Sequence, residues 1–405
     1  MNGYPVARNT VLLAASLTCL SGMLQLGVAV ATTSLVLVTG IEGILGLGPA
    51  IFLLCGALSA LPAGRLMDRV GRVPVLAGGF GLGVGGCLLT ALACGIESSA
   101  LLVAGFAAVG GSMGIALLAR TAAGDMYPPE RRARGISLVL FGAVFGAILG
   151  PTVFSPLFAE HDLDTDALVV PWLAAAGIMV VGLALVLAVR PDPGRIARTQ
   201  PGAAPQEPPA PLAEILRRPG VPTALLGALT SFAVMVAVMN LTGYMMVGQG
   251  HMQSDVFPVI SAHIIGMYGL VLVVGDLIDR VGRRTALVGG LVVMGISTGA
   301  LAWTESVLAT GVALFGLGLG WSFSYVAATS ELVDLARPAE RGRLIGFNDL
   351  LSGSTGAALA LLGGLAYSHA GTNSVAVGGA IAVALPALWI AISRRPAPPP
   401  VEAAA

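Results

Sequence analysis

Two ionisable side chains lie inside long apolar stretches of this chain, where a charged group is costly. His263 occupies the middle of residues 255–278, and Asp349 lies one to two turns into residues 344–367. Histidine titrates near neutral pH, and a buried carboxylate can titrate in the same range. The sequence therefore predicts His263 and Asp349 as groups that take up and release protons. Each residue also has an alternative interpretation. His263 could be a neutral histidine bonded to a backbone carbonyl. Asp349 could be a carboxylate at the membrane interface that pairs with Arg343 or caps its helix.

Long apolar segments must hold these groups in place. A helix needs about 20 predominantly apolar residues to cross a bilayer. Twelve segments meet this criterion, at roughly residues 10–35, 44–66, 73–95, 99–120, 134–158, 168–190, 221–247, 255–278, 285–303, 306–328, 344–367 and 373–393. Between the sixth and seventh segments, residues 191–219 are rich in Pro, Ala and Arg and lack apolar periodicity, which indicates a linker.

The composition agrees with a membrane protein and argues against other classes. Hydrophobic residues make up 56% of the chain and charged residues only 10%, whereas soluble domains carry about 25% charged residues. A formal net charge of zero gives no reason to expect a nucleic-acid partner. The four cysteines lie in apolar segments without a disulfide or metal-binding pattern. We find no nucleotide-binding loop, metalloprotease motif or catalytic triad, so we expect no enzyme activity and no cofactor.

The arginines predict the orientation of the segments. Every basic residue is an arginine, and all 21 lie at the ends of the chain, in the linker or in alternate loops. Short cytoplasmic loops collect basic residues, so both termini are predicted to be cytoplasmic in the plasma (inner) membrane. The resulting expectation is an N-terminal six-helix bundle at residues 1–190, a cytoplasmic linker at 191–219, a C-terminal six-helix bundle at 220–395 and a disordered tail at 396–405.

A charged phrase interrupts the apolar pattern twice. Residues 64–72 read Gly-Arg-Leu-Met-Asp-Arg-Val-Gly-Arg, and residues 275–283 read Gly-Asp-Leu-Ile-Asp-Arg-Val-Gly-Arg. Each phrase joins two apolar segments in the same orientation, which predicts two bundles related by a pseudo-two-fold axis along the membrane normal. An aspartate at such a helix end can cap a neighbouring helix or pair with arginines. The alternative is that the arginines only fix the topology.

The glycines of the phrase suggest specific backbone roles. Gly71 and Gly282 would permit a tight reversal of the chain, because glycine readily adopts positive φ angles. Gly64 and Gly275 would permit close contact between helices, because they lack a side chain.

The paired phrase, in a chain of six plus six segments, resembles the signature loop of the major facilitator superfamily, and the likeness covers essentially the whole chain. The resemblance implies that the loops form a cytoplasmic gate, which latches that side when the carrier opens outward. The gate residues would be Gly64, Asp68, Arg69, Gly71, Arg72, Asp125, Gly275, Asp279, Arg280, Gly282 and Arg283.

A second motif resembles the fifth helix of the proton-driven exporters of that superfamily. It consists of Gly142, Gly146 and Gly150 at four-residue spacing, followed by Pro151. Those exporters also carry an arginine early in the fourth helix, and here that stretch is apolar. Arg120 lies about four turns further on, where it would be either a relocated partner for Asp125 or an interfacial anchor.

The resemblance also implies a central cavity between the two bundles. We predict that Gln25, Asn240, Met239 and Met267 line this substrate cavity. The alternative for the two amides is hydrogen bonding between helices. Thioethers can bind a soft metal, but methionine more often supplies an adaptable apolar lining, so we predict no metal site.

The expected function is secondary active transport. The resemblance implies a monomeric carrier that exports a small, partly apolar organic molecule by alternating access in exchange for protons. The alternatives are proton-coupled uptake or facilitated diffusion of a small solute and, with less support, export of a metal ion. The partners would be the substrate, protons and the lipid bilayer, with no nucleic acid.

Overall fold

In the computed structural model of the chain, the structure describes residues 5–41, 45–127, 132–158, 164–198, 210–337 and 340–393. These residues form helices joined by turns, and the described part contains no β-strand. The predicted tail at 396–405 lies outside the described residues. Helix is the expected form, because it satisfies the backbone hydrogen bonds of an apolar segment without help from water.

The first group of helices precedes the linker. Its members are α1 (Val6–Thr39), α2 (Leu47–Val70), α3 (Arg72–Gly95), α4 (Ser99–Ala116), α5 (Ala119–Asp125), α6 (Arg132–Leu149), α7 (Ser155–Phe158) and α8 (Val169–Leu187). A π-helical turn at Gly150–Phe154 joins α6 to α7. Such turns arise where the regular hydrogen-bond ladder is interrupted, and Pro151 has no N–H to contribute to it.

The linker and the second group follow. They comprise α9 (Pro193–Arg198), α10 (Leu212–Leu216), α11 (Val221–Gly248), α12 (Gln253–Tyr268), α13 (Val271–Val281), α14 (Arg283–Ala300), α15 (Val307–Leu335) and α16 (Arg341–Ile392). Helix α16 is divided by Gly371, whose φ of 67° and ψ of −166° are not helical. It therefore consists of two helices in sequence.

Nine helical stretches among the described residues are long and apolar enough to cross a membrane. The last of them, Arg343–Ile392, contains the division at Gly371. Helices α12 and α13 are not among the nine because they are short, at 16 and 11 residues. Helix α14 is also excluded, since it begins with two arginines that lower its mean hydropathy.

The two groups pack against each other along three contacts. Helix α1 meets α11 at the centre, α2 meets α16 on one side, and α6 with its π-turn meets α12 on the other. The helices end at two faces. We call the face with the α2–α3 and α13–α14 turns the arginine-rich face, and the face with the end of α1 and the start of α12 the opposite face.

Candidate functional site

A cavity of about 110 Å³ lies where α1, α4, α6, α11 and α12 meet. Aliphatic side chains form most of its wall, and polar side-chain atoms come from Ser21, Gln25 and Tyr268. A concave, mostly apolar space with a few polar groups is typical of a small-molecule site. The cavity therefore lies between the two groups of helices.

Three of the four residues predicted for the cavity wall lie in it: Gln25, Met239 and Met267. Asn240 is not among the wall residues. Its side-chain amide donates to the carbonyl oxygen of Val236, one turn earlier in α11, at 2.8 Å. The amide is thus satisfied within its own helix.

Hydrogen bonds close the cavity toward the opposite face. The Gln25 amide nitrogen lies 3.1 Å from the Gly146 carbonyl oxygen and 3.3 Å from Ser261 Oγ. Ser261 Oγ in turn lies 2.6 Å from the carbonyl oxygen of Ala147. Gln25 therefore lines the cavity and also joins α1 to α6 and α12.

Aromatic rings and a backbone contact extend this closure. Phe154 and Phe158 stack on Phe257, with ring centroids 5.9 and 5.7 Å apart. On the other side of the molecule, a Cβ atom added to Gly46 would lie 2.0 Å from the carbonyl oxygen of Ala360. The two groups are in direct contact at this face. We call the Gln25, phenylalanine and Gly46 contacts the seal.

The glycine motif of α6 lies directly against α1. Added Cβ atoms would lie 2.3 Å from the Ala14 carbonyl oxygen at Gly142, 2.4 Å from Ser21 Cβ at Gly146 and 2.5 Å from Gln25 Oε1 at Gly150. Real side chains do not tolerate such distances. The absence of side chains here lets α6 approach α1 and positions Gln25.

An ion pair lies beyond the other end of the cavity, next to the wall residue Leu117 in sequence. Arg120 Nη2 lies 3.2 Å from Asp349 Oδ2, and the Tyr325 hydroxyl donates to Asp349 Oδ1 at 3.1 Å. Arg120 is three residues beyond Leu117, which lines the cavity. The two side chains are 31% and 34% exposed. This pair links the first group of helices to the second.

The ion pair contradicts two of the alternatives that the sequence left open. Arg120 pairs with Asp349 rather than with Asp125, whose carboxylate accepts from Arg72 Nε at 2.9 Å. Asp349 does not pair with Arg343, whose guanidinium donates to the carbonyl oxygen of Ala210 at 3.1 Å. The partners are 229 positions apart in sequence, so local pattern gives no signal for the pair.

An aromatic cluster, formed by Tyr268, Trp321 and Tyr325, lies beside this ion pair. Trp321 stacks on Tyr325 with ring centroids 5.0 Å apart and an interplanar angle of 12°. Tyr268 meets Trp321 edge to face at 5.8 Å and lines the cavity. Sequence reasoning missed these residues, although the spacing of Trp321 and Tyr325 places both on one helix face.

His263 lies elsewhere, between α12 and α15. It is fully buried, and its Nδ1 lies 2.8 Å from the carbonyl oxygen of Leu314. Because a carbonyl oxygen only accepts, Nδ1 donates. Gly318 of α15 lets the histidine backbone approach, since an added Cβ would lie 2.3 Å from the His263 carbonyl oxygen. His263 is not among the cavity-wall residues, and this geometry matches the alternative of a histidine bonded to a backbone carbonyl. Its other ring nitrogen, Nε2, is buried without a hydrogen-bond partner among the described residues.

The two charged phrases form tight turns with similar ion pairs. Gly71 and Gly282 have φ angles of 102° and 86°, which favour glycine. Arg72 pairs with Asp125 at the end of α5, and Arg283 pairs with Asp334 near the end of α15. Each of these pairs joins helices within one group.

Other gate residues have different surroundings. Arg69 and Arg280 are exposed, and the side chains of Asp68 and Asp279 lie outside the described residues. Among the described residues, no heavy atom lies within 4 Å of an added Cβ at Gly64 or Gly275, so the close helix contact expected there is not seen.

Both ends of the linker are anchored to the arginine-rich face. Asp192 accepts from the backbone N–H groups of Val73 and Gly194, each at 2.8 Å. At the other end, Glu340 binds the Arg218 guanidinium through both oxygens, at 2.5 and 2.9 Å. The bond to Arg218 lowers the pKa of Glu340 to about 2. Burial of the carboxylate acts in the opposite direction, and hydrogen bonds from backbone N–H groups lower the pKa further.

Acid is expected to weaken the Glu340 anchor. The folded-state pKa is below the ordinary value of 4.5, so the ionised carboxylate stabilises the fold fully above about pH 4.5 and progressively less as the pH falls to about 2. Thermal unfolding of the purified protein and of Glu340→Gln between pH 7 and pH 3 tests this. The difference in Tm should shrink below pH 4.5, and a difference independent of pH would contradict it.

Similarity to known proteins agrees with this architecture. The Major Facilitator Superfamily model matches residues 10–360 and 259–405. The chain is 34% identical over 360 residues to the uncharacterized MFS-type transporter YdeG of Bacillus subtilis, covering 85% of this chain and 83% of that protein. It is 28% identical over 337 residues to the riboflavin transporter RfnT of Brucella anthropi, covering 80% of each.

The fold is also similar to a solved structure. A POT family transporter in complex with a thioalcohol-conjugated peptide superposes with a TM-score of 0.74 at 14% sequence identity, covering 95% of this chain and 96% of that chain. The apolar helices, the cavity between two helical groups and the family match lead to one conclusion. The chain belongs to the Major Facilitator Superfamily and is a multi-pass membrane transporter of small solutes.

Proposed function

We propose that this transporter moves a small, partly apolar organic molecule through the central cavity by proton-coupled alternating access, with export as the direction. The observation that carries the proposal is the position of the cavity. It lies between two groups of helices, with the seal on one side and the Arg120–Asp349 pair on the other. Breaking either contact would connect the cavity to one face.

The proposed architecture is a monomer with twelve transmembrane helices in two bundles, residues 1–190 and 220–395. The nine apolar stretches support it when α16 counts as two helices at Gly371 and when α12–α13 and α14 are added. The arginine-rich face is then cytoplasmic, because basic loops stay inside. The conformation of this structure is then closer to inward-open than to outward-open, because the seal lies on the outer side of the cavity.

Asp349 is the first candidate for proton coupling. Its carboxylate is partly exposed and pairs with Arg120 across the two groups, so a change of its charge alters a contact that must break during transport. His263 is the second candidate, since it lies inside one group of helices. One proton moving inward across 100 mV contributes about 2.3 kcal/mol.

Reconstituted transport tests the proposal. Proteoliposomes that contain a pH-sensitive dye would be given a pH gradient and a panel of drugs, aromatic acids, sugars and amino acids. We expect at least one organic solute to drive proton movement, with coupling lost in Asp349→Asn and retained in His263→Gln. If no solute moves protons, or if Asp349→Asn transports with unchanged pH dependence, the proposed coupling is wrong.

A second candidate function is proton-coupled symport in the uptake direction. The Arg120–Asp349 pair favours it, because a site that holds an arginine next to a protonatable carboxylate can accept an anion and a proton together. The same proteoliposomes distinguish the two directions. Export by exchange moves the solute against the proton, whereas symport moves both the same way.

A further inference from the structure

We propose that Arg120 and the aromatic cluster bind the carboxylate and ring of a small aromatic acid, which displaces Asp349 from Arg120. This inference rests on the proposed transport function of the cavity, in its symport form, and names the substrate class. Three observations carry it: the hydrogen-bonding capacity of Arg120, the rings beside it, and the charge balance of the pair.

Arg120 has unused capacity to bind an anion. A guanidinium carries five N–H donors in a planar fork that matches a carboxylate. The contact with Asp349 uses one nitrogen and one oxygen, at 3.2 Å, so it is not the two-point arrangement that such groups favour. Within the described part of the chain, Arg120 donates to no other protein acceptor. It is also 31% exposed, so an incoming carboxylate can reach the fork.

The surroundings favour a planar apolar body over a sugar or a peptide. Tyr268 lines the cavity and meets Trp321, which stacks on Tyr325. The rest of the cavity wall is largely aliphatic, with few groups that can bind hydroxyls or amides. A dry cavity of about 150 Å³ holds one benzene molecule. The observed volume of about 110 Å³ therefore suits a molecule with about one ring.

The charge balance predicts that a proton accompanies the acid. The site contains one cation and one anion, and binding of a carboxylate to Arg120 would remove the cation with which Asp349 pairs. The groups that face Asp349 are Arg120 from α5, the hydroxyl of Tyr325 from α15 and the neighbouring amide of Asn348. When Asp349 takes up one proton from water and becomes a neutral acid, the site returns to zero charge. One proton then binds with each carboxylate.

Binding of benzoate to the purified full-length protein tests the inference. Titration calorimetry in buffers of different ionisation enthalpy gives both the Kd and the number of protons taken up. We expect benzoate to bind with uptake of one proton, and benzamide, which has the same ring and no charge, to bind at least tenfold more weakly. Absence of benzoate binding to the wild type, or equal binding of benzamide, would overturn the proposal.

Variants separate a binding role from a structural one. Arg120→Gln should weaken benzoate binding at least tenfold and Arg120→Lys less, while Asp349→Asn should keep the affinity and lose the proton uptake. Arg195→Gln, which removes an exposed arginine of α9, is the matched control and should bind as the wild type does. Unchanged binding in a folded Arg120→Gln variant would contradict the proposal. If benzoate fails while other solutes move protons in proteoliposomes, only this inference fails and the proposed transport stands.

Discussion

Substitution of Gly46 by alanine is expected to reduce transport at least tenfold and to leave the opposite face of the transporter open. An alanine Cβ at this position would lie 2.0 Å from the carbonyl oxygen of Ala360 and 2.6 Å from Leu361 Cα. Both are backbone atoms of α16, so no side chain can rotate away. Overpacking of this kind costs about 1–3 kcal/mol, and about 2.7 kcal/mol shifts a two-state equilibrium a hundredfold.

The measurement combines transport with accessibility. In a cysteine-free background, Ser254→Cys places a thiol at the seal, where Ser155 donates to the Ser254 carbonyl. A membrane-impermeant thiol reagent should label it faster in Gly46→Ala than in the parent. Gly364→Ala should act in the same way, because its Cβ would lie 2.3 Å from the Gly46 nitrogen.

A matched control is available in α3. Gly78 is also a glycine, but no atom of the described residues lies within 4 Å of an added Cβ there. Gly78→Ala should therefore transport at the wild-type rate with wild-type labelling. If Gly46→Ala behaves like Gly78→Ala in both assays, the contact between Gly46 and α16 is not part of the transport cycle.

The second large effect is expected at Gln25. Gln25→Leu keeps the approximate size of the side chain but removes the donors to Gly146 and Ser261. Loss of buried hydrogen bonds costs about 1–3 kcal/mol. Because Gln25 lines the cavity and joins three helices of the seal, we expect at least a tenfold loss of transport together with faster labelling of Ser254→Cys.

Asn240→Leu is the control for this prediction. Asn240 is also a buried amide on a helix near the cavity, but it donates within its own helix. Its substitution should reduce transport less than Gln25→Leu and leave the labelling rate unchanged. Equal effects of the two variants would show that any lost amide impairs the carrier and that Gln25 has no special role in the seal.

The sequence predicted much of the architecture because the relevant signals are local. Apolar length identified the helices, and Gly71 and Gly282 marked turns that need positive φ angles. The spacing of Gly142, Gly146 and Gly150 indicated a close contact, since residues four apart lie on one helix face. In the structure that face lies against α1. These features depend on neighbours within a few turns of the chain.

The candidate site was only partly predictable. Gln25 was predicted because it is a polar residue on a helix that lines the cavity in similar carriers, and Met239 and Met267 as an adaptable apolar lining. All three line the cavity of this structure. The rule applied to Gln25 also selected Asn240, which is satisfied inside α11. When a helix is apolar on all sides, the type of a residue and its position in the sequence do not specify whether that residue faces a neighbouring helix.

Sequence alone determined that this protein is a bundle of membrane helices with charged turns, because a bilayer imposes length and composition on each span separately. Tertiary structure decided the partners of the charges. Arg120 of α5 and Asp349 of α16 lie 229 positions apart. They meet only because the first and second groups of helices pack against each other. The tertiary structure also decided that the His263 side chain of α12 is directed at α15, where it contacts the Leu314 carbonyl oxygen. The packing of whole helices fixes which of their faces become buried.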